Sequence, residues 1–316
     1  MIAADDSGQR ARTAVILAGG EGMRLRDFTR ATLGIECPKQ FCPLLVDGRT
    51  LLETTISRIT PSFQPGRIIT VLSQPHECFY SPLFSDASPE DIVVQPQNRG
   101  TGAAIVYALL RVARMSPDAS IAIFPCDHYV RDERKFMSYV SLAFDAVAAR
   151  PELVVLLGIK PTAPDTGYGW IEPASRVEAD DVPLYRIRRF WEKPSIDLAQ
   201  RLFVSDSLWN SFVMVGQVSA LMELVMRTIP HVYEPFLQVA DTFGTGRERG
   251  VMEKVYRRLD ATDFSADVLA KAPEHLAVLR AADVKWSDLG TRERVTEVLA
   301  DLRQAAASYG SLGQAK

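Results

Sequence analysis

Apolar residues in the first half of the chain fall into short, uninterrupted runs separated by stretches with helical spacing. The runs of strand length occupy residues 13–19, 67–73, 91–96, 120–127 and 153–159. Such runs are typical of strands buried on both faces of a mostly parallel sheet. Between them, apolar side chains recur at helical spacing in residues 51–59, 101–115 and 135–150. This alternation predicts an α/β fold with a doubly wound, mostly parallel, Rossmann-like sheet.

The second half of the chain is less regular. Residues 167–173 and 184–194 are predicted as strands or hairpin arms, and a late apolar run within 276–290 is predicted as a strand ending on Asp288. Helical spacing returns in residues 195–203, 218–229 and 248–259.

The chain shows no internal repeat, low-complexity linker or break in composition that would separate two domains. We therefore expect one domain over residues 13–300, with a first half at 13–150 and a second lobe at 151–300. A flexible tail is expected at residues 1–12 and a second tail at 301–316.

Composition and charge favour an ordinary globular protein without a nucleic-acid partner. The chain has 47% hydrophobic and 24% charged residues and a formal net charge of −3, and no long basic stretch. Its four cysteines are sparse and complete no zinc set, so reduced thiols in a cytoplasmic protein are expected. Neither a signal peptide nor a bilayer-spanning apolar run is recognisable, so no membrane partner is expected.

The first apolar run leads into a glycine-rich loop, LAGGEGMRL, at residues 17–25. Counted from Gly20, the third glycine of a Rossmann fingerprint would fall on Leu25, and no G-K-[ST] of an ATPase phosphate loop follows. What remains is a strand that ends in glycines, whose backbone N–H groups can approach an anion closely. Arg24 could then bind phosphate oxygens, although a tight turn with a surface arginine fits the same letters.

Together with PKQF at residues 38–41, this loop resembles the sugar-nucleotide pyrophosphorylases, and most of all the mannose-1-phosphate guanylyltransferases. The resemblance implies the nucleotide-diphospho-sugar transferase type of α/β fold. It also implies that Arg24 contacts the phosphates of a nucleoside triphosphate and that Lys39 supports them. QPQNRGTG at residues 95–102 resembles the family element that lies against the purine, although Thr101 could instead cap a helix. The nucleotide-binding residues implied are Leu17, Ala18, Gly19, Gly20, Gly22, Arg24, Gln95, Asn98, Gly100 and Thr101.

Two aspartates are implied as Mg²⁺ ligands. FPCDHYV places Asp127 at the end of a strand, where α/β folds bind ligands, and resembles the family's P-S-D-H with Cys126 in place of serine. WSDLG resembles the family's W-x-D-x-G and implies that Asp288 faces Asp127. One or two carboxylates beside substrate phosphates are usual for Mg²⁺.

Three elements of the second lobe resemble the sugar-binding elements of the family: TGYGWIEP (166–173), FWEKP (190–194) and LWNSFVMVG (208–216). The resemblance makes this lobe the sugar-phosphate half. Tyr168 and Gly169 would contact the sugar, Glu192 and Asn210 would bind its hydroxyls, and Lys193 would meet its phosphate. With Arg24, Lys39 and Asp127, Lys193 completes the implied catalytic set.

The expected function is therefore transfer of a nucleotide from a nucleoside triphosphate to a sugar 1-phosphate, with GTP and mannose 1-phosphate preferred. Met23, Phe212 and the long connector 26–37 depart from the family pattern, so other bases and glucose 1-phosphate stay open. A non-catalytic nucleotide-sugar-binding subunit is a further alternative. A retaining glycosyltransferase is disfavoured because Asp263-Phe264-Ser265 lacks the second acid of a D-x-D motif. Self-association into a homodimer is left open.

Overall fold

The computed structural model describes residues 11–22, 25–34, 36–45, 47–179 and 182–313, without the side chains of 32, 33 and 305–313. The strands are β1 (Arg12–Leu17), β2 (Ile68–Ser73), β3 (Ile92–Gln95), β4 (Ser120–Pro125), β5 (Tyr129–Val130), β6 (Val154–Ile159), β7 (Gly169–Val177), β8 (Leu184–Glu192), β9 (Leu208–Gln217), β10 (Leu276–Ala281) and β11 (Trp286–Ser287). The helices are α1 (Arg26–Leu33), α2 (Leu51–Ile59), α3 (Glu77–Tyr80), α4 (Gly100–Met115), α5 (Glu133–Ala149), α6 (Ile196–Val204), α7 (Val218–Thr228), α8 (Pro230–Leu237), α9 (Glu248–Tyr256) and α10 (Arg292–Gly313).

Within the described residues, nine strands form one sheet in the order β3-β2-β1-β4-β9-β6-β10-β8-β7. The first four are parallel, as the apolar runs predicted. Their carboxyl ends therefore meet at one edge, where open α/β sheets bind ligands.

The prediction of a mostly parallel sheet is wrong, because the sheet is mixed. β9 lies between β4 and β6 and is antiparallel to both, while β8 is antiparallel to both β10 and β7. The motif in LWNSFVMVG was recognised, but not the strand that carries it. Strand β9 pairs antiparallel with both β4 and β6 and so separates them. In a doubly wound sheet these two strands would be parallel neighbours.

The sheet also closes on itself in the second half. β7 pairs with β9 through Trp170 and Trp209, so β9, β6, β10, β8 and β7 form a ring. This closure brings the start of β7 beside the start of β9. The residues next to that pair, Gly169 and Asn210, are two of the predicted sugar-binding residues.

Helices cover both faces of the sheet, which confirms that part of the predicted layering. One apolar cluster contains the buried faces of α2 and α5, and a second cluster contains those of α4, α7 and α8. Helix α2 begins with a capping box, in which Thr50 accepts from Glu53 N–H and the Glu53 carboxylate accepts from Thr50 N–H. Two separate apolar layers therefore sandwich the strands.

The C-terminal part departs from the expected boundaries of its elements. The late strand ends at Ala281, not at Asp288, because Asp283 turns the chain with a φ of 52° and only Trp286–Ser287 pairs again, with β5. Helix α10 then runs past residue 300, across the expected domain boundary. Among the described residues, no helix combines the length and apolar character that crossing a bilayer requires.

Candidate active site

The glycine loop leaves β1 and is held in place by Gln40. The side-chain amide of Gln40 donates to the backbone oxygens of Ala18 at 3.0 Å and of Gly20 at 2.7 Å. Gln40 is itself buried. The PKQF segment therefore fixes the shape of the loop, a role that sequence reasoning did not assign to Gln40.

Two of the loop glycines approach other residues closely, and at Gly22 the neighbour is backbone. A Cβ at Gly19 would lie 2.4 Å from the amide nitrogen of Gln95, and a Cβ at Gly22 would lie 2.7 Å from the backbone nitrogen of Lys39. Gly22 also has a φ of 61°, which glycine adopts at little cost. Arg24 and Met23 lie outside the described residues, so their predicted roles stay predictions.

A pocket of about 300 Å³ opens at the carboxyl ends of β1, β3 and β4. Asp127 and Phe212 are among its lining residues. The predicted nucleotide-binding residues that line it are Leu17, Gly19, Gly20, Gln95, Asn98, Gly100 and Thr101. The structure therefore brings together both chain segments that the resemblance assigned to the nucleotide.

Hydrogen bonds fix the side chains of the segment 95–101, one within the segment and two to distant residues. Asn98 Oδ1 accepts from Gly100 N–H at 2.8 Å, and Thr101 Oγ1 accepts from Phe264 N–H at 2.8 Å. Gln95 Oε1 accepts from the hydroxyl of Tyr256 at 3.1 Å. Thr101 therefore does not cap α4, and these side chains are held rigidly along the pocket wall.

Lys39 contacts both predicted metal-binding aspartates. Its buried ammonium lies 3.1 Å from Asp127 Oδ2 and donates to the backbone oxygen of Asp288. Burial acts to raise the pKa of Asp127, but the charge and hydrogen bond of Lys39, the interaction with His128 and a backbone hydrogen bond together outweigh it, so this pKa is lowered and the carboxylate stays ionised. The lysine that the resemblance assigned to the phosphates is thus a buried counter-ion of Asp127.

Asp127 and Asp288 offer two carboxylates of the chemistry that Mg²⁺ takes. Asp288 Oδ1 accepts from Arg294 at 2.8 Å and from Gly290 N–H at 2.9 Å. The Lys39 ammonium contacts the Asp127 carboxylate and the backbone oxygen of Asp288. Within the described part of the chain, no group of three or more potential metal ligands occurs. A pair of carboxylates is nevertheless enough where substrate phosphates supply further oxygens.

His128 is a packed neighbour of this pair. Its ring lies edge-on to Trp286, with centroids 5.2 Å apart, and its Nε2 is 3.7 Å from Asp127 Oδ1. Burial lowers the pKa of His128 to about 4. The imidazole is therefore neutral at physiological pH and adds no charge to the site.

The predicted sugar-binding residues lie together where β7, β8 and β9 meet. Gly169 pairs with Glu192 across the ladder, and a Cβ at Gly169 would lie 3.0 Å from Glu192 Oε2 and 3.4 Å from Asn210 Cβ. Lys193, with a φ of 46°, donates to Glu192 Oε1 at 2.6 Å. A carboxylate, an amide and an ammonium group thus converge on one place.

Phe212 joins the two groups of residues. Its N–H donates to Asn210 Oδ1 at 3.1 Å on the sugar side, while its side chain lines the nucleotide pocket. Sequence reasoning missed two other contributors, Arg294 and Asp165, which bond to each other next to Tyr168. No local motif marks either residue, because the bond between them joins positions 129 residues apart.

Comparison with known proteins supports a common ancestry over nearly the whole chain. The xanthan biosynthesis protein XanB of Xanthomonas campestris pv. campestris (strain B100) is 31% identical over 311 residues, 95% of this chain and 62% of that protein. A mannose-1-phosphate guanylyltransferase of Salmonella montevideo is 27% identical over 299 residues, 90% of this chain and 59% of that protein. The chain thus spans about three fifths of the length of these curated relatives.

A solved structure shares the fold of this chain over most of its length. The crystal structure described as mannose-1-phosphate geranyltransferase from Thermus thermophilus has a TM-score of 0.73 and 29% identity, covering 88% of this chain and 76% of that chain. The family model described as nucleotidyl transferase matches residues 13–305. The match includes the glycine loop, both aspartates and the sugar-side segments, and the chain belongs to the nucleotidyl transferase family.

Proposed function

We propose that the protein transfers guanosine monophosphate from GTP to mannose 1-phosphate, giving GDP-mannose and pyrophosphate. The observation that carries the proposal is that the glycine loop and Asp127 line one pocket, with the Lys39 ammonium paired to Asp127. The name of one relative, a mannose-1-phosphate guanylyltransferase, supports the choice of substrates.

The chemistry is an in-line displacement at the α-phosphorus of the nucleotide. An oxygen of the sugar phosphate forms the new P–O bond, and the bond to the bridging oxygen of the β-phosphate breaks, so that its electron pair leaves with pyrophosphate. The nucleophile is already anionic and needs no general base. The residues therefore act by positioning the reactants and neutralising charge.

Lys39 and Asp127 would act on the triphosphate side. The backbone of Lys39 packs against Gly22 of the glycine loop, and its ammonium would pair with phosphate oxygens once it leaves Asp127. Asp127 and Asp288 would hold Mg²⁺, which supplies charge neutralisation on phosphate oxygens when it is bound. Arg24 is assigned to the leaving pyrophosphate, an assignment that rests on the sequence alone.

The sugar phosphate would bind beside Phe212, at the junction of β7, β8 and β9. Glu192 and Asn210 offer a carboxylate and an amide to hydroxyl groups, and Gly169 offers a backbone N–H. Lys193 would exchange its bond with Glu192 for one with the sugar phosphate. This orientation points the nucleophile toward the pocket that Phe212 lines.

A panel of substrates tests the proposal. Pyrophosphate release is measured for GTP, ATP, UTP and dTTP, each with mannose 1-phosphate and with glucose 1-phosphate, and Mg²⁺ is present throughout. We expect the largest kcat/KM for GTP with mannose 1-phosphate. A larger value for another pair would reassign the specificity, and binding of nucleotide without release for any pair would point to a non-catalytic subunit.

A further inference from the structure

Arg294, in the first turn of α10, holds two carboxylates from distant parts of the chain. Its guanidinium donates to Asp288 Oδ1 at 2.8 Å and to Asp165 Oδ2 at 2.6 Å. The side chain is only 12% exposed, so both bonds are shielded from water. A planar guanidinium fork fixes the direction of each partner in a way that an ammonium group does not.

The loop before β7 folds around the same guanidinium. The Arg294 Cζ atom lies 3.8 Å from the centroid of the Tyr168 ring, and a Cβ at Gly167 would lie 2.7 Å from Arg294 Nη2. Asp165 closes the loop, because Oδ1 accepts from Gly167 N–H at 2.7 Å and its backbone oxygen accepts from Trp170 Nε1 at 2.8 Å. The first glycine of the TGYG segment therefore makes room for Arg294.

We propose that Arg294 is a positioning residue that couples the sugar-side loop, residues 165–169, to Asp288. The proposal rests on the function proposed above, which assigns Gly169 to the sugar and Asp288 to the triphosphate side. Gly290 N–H also donates to Asp288 Oδ1, at 2.9 Å. Among the described residues both hydrogen bonds of this carboxylate thus go to Oδ1, and the bond from Gly290 would still hold Asp288 if Arg294 were replaced.

Loss of the guanidinium would act first on the sugar side. Asp165 and Asp288 would then be two neighbouring carboxylates without the cation that holds them, and like charges in a poorly solvated site repel. The loop would move away from Asp288 and take Gly169 with it. The nucleotide pocket has its own bonds, through Gln40 and Tyr256, and would keep its shape.

A purely structural role, in which Arg294 only anchors α10, makes a different prediction. Arg131 offers a matched control, since it donates to Asp301 on the same helix at 3.1 Å and lies outside the proposed site. A helix anchor predicts that both arginine variants lose thermal stability without any change in substrate binding.

The experiment compares Arg294→Met, Arg294→Lys and Arg131→Met with the wild-type chain. Melting temperature, kcat and the KM of GTP and of mannose 1-phosphate are measured for each. We expect Arg294→Met to raise the KM of mannose 1-phosphate at least about tenfold while the KM of GTP changes less than about twofold. Arg294→Lys should give an intermediate KM, and Arg131→Met should keep both values.

An unchanged KM for mannose 1-phosphate in Arg294→Met, or an equal rise in Arg131→Met, would overturn the proposal. If Arg294→Met does not fold, Arg294→Lys alone decides by the same criterion. If the wild-type chain releases no pyrophosphate with any substrate pair, the proposed function has failed. Amide hydrogen exchange in residues 165–170 then decides, because the coupling requires faster exchange in Arg294→Met or Arg294→Lys than in Arg131→Met, and equal exchange contradicts it.

Discussion

Phe212 combines a large side chain with a backbone conformation that favours glycine. Its φ is 61°, in the left-handed region, which costs an L-residue about 1–2 kcal/mol. The resembling family motif W-N-S-G has glycine at this position, so the sequence marked Phe212 as a departure. The structure shows why a glycine would suit this position: the backbone turns here with a positive φ, and in that turn Phe212 N–H donates to Asn210 Oδ1.

Two substitutions of Phe212 distinguish the effect of losing its ring from the effect of its backbone strain. Phe212→Gly and Phe212→Ala both remove the ring, but only glycine takes a positive φ without strain. We expect Phe212→Gly to have a free energy of unfolding about 1 kcal/mol higher than Phe212→Ala, the reverse of the usual order in regular structure. Urea unfolding of the two variants measures this difference. Equal stability, or a more stable alanine variant, would refute the assignment of strain.

At the scale of elements, the start of α4 is clamped against a distant loop. Gly100 has a φ of 81°, and a Cβ there would lie 2.3 Å from the backbone oxygen of Thr262. Gly102 N–H donates to the same oxygen at 2.9 Å. Contact between backbones, and not between side chains, therefore holds the β3–α4 connection in place along the nucleotide pocket.

Alanine at Gly100 tests this clamp, with Gly244 as the matched control. Gly244 also has a positive φ, of 74°, but its Cβ would have no atom within 4 Å. Gly244→Ala should cost about 1 kcal/mol of stability from strain alone. Gly100→Ala should cost at least about 2 kcal/mol and weaken nucleotide binding, because strain and a backbone collision add. Equal losses of unfolding free energy in the two variants, measured in urea, would show that the collision is relieved without consequence.

Most elements of the first half could be predicted because continuous apolar runs mark parallel strands and amphipathic spacing marks helices, but the short elements α1, α3 and β5 were not predicted. β9 could not be predicted, because Asn210 and Ser211 interrupt its apolar pattern. In the fold, the Ser211 hydroxyl is buried and donates to the backbone oxygen of Leu157 at 2.7 Å. That partner lies in another strand, so no local pattern could show that the serine belongs in a sheet.

The same limit applies to the site of the whole molecule. Short motifs identified the glycine loop and Asp127, since each motif carries its chemistry within a few residues. They did not identify Gln40 or Arg294 as supports, because these act on residues that only the fold brings near. The roles assigned to site residues, and the division at residue 150, stay predictions.

The free energy of unfolding of the whole molecule should vary with pH through the protonation of His76. Its ring packs edge-on to Phe41, with centroids 5.9 Å apart, and burial lowers its pKa. Below about pH 6.5 the unfolded chain takes up a proton that folded His76 resists, so the free energy of unfolding falls as pH falls. The loss between about pH 7.5 and about pH 5.5 should be smaller in His76→Gln than in wild type. His128 acts in the same direction in both proteins, so identical losses in urea unfolding would exclude His76.

The central claim is that the pocket beside Asp127 carries out nucleotidyl transfer. Its most direct test is pyrophosphate release from GTP and mannose 1-phosphate by Asp127→Asn, beside a melting curve that verifies folding. Asparagine keeps the shape of the side chain but removes the charge that pairs with Lys39 and would hold Mg²⁺. We predict a fall in kcat of about 10²–10³-fold in a folded protein. Undiminished pyrophosphate release by the folded variant would contradict the claim.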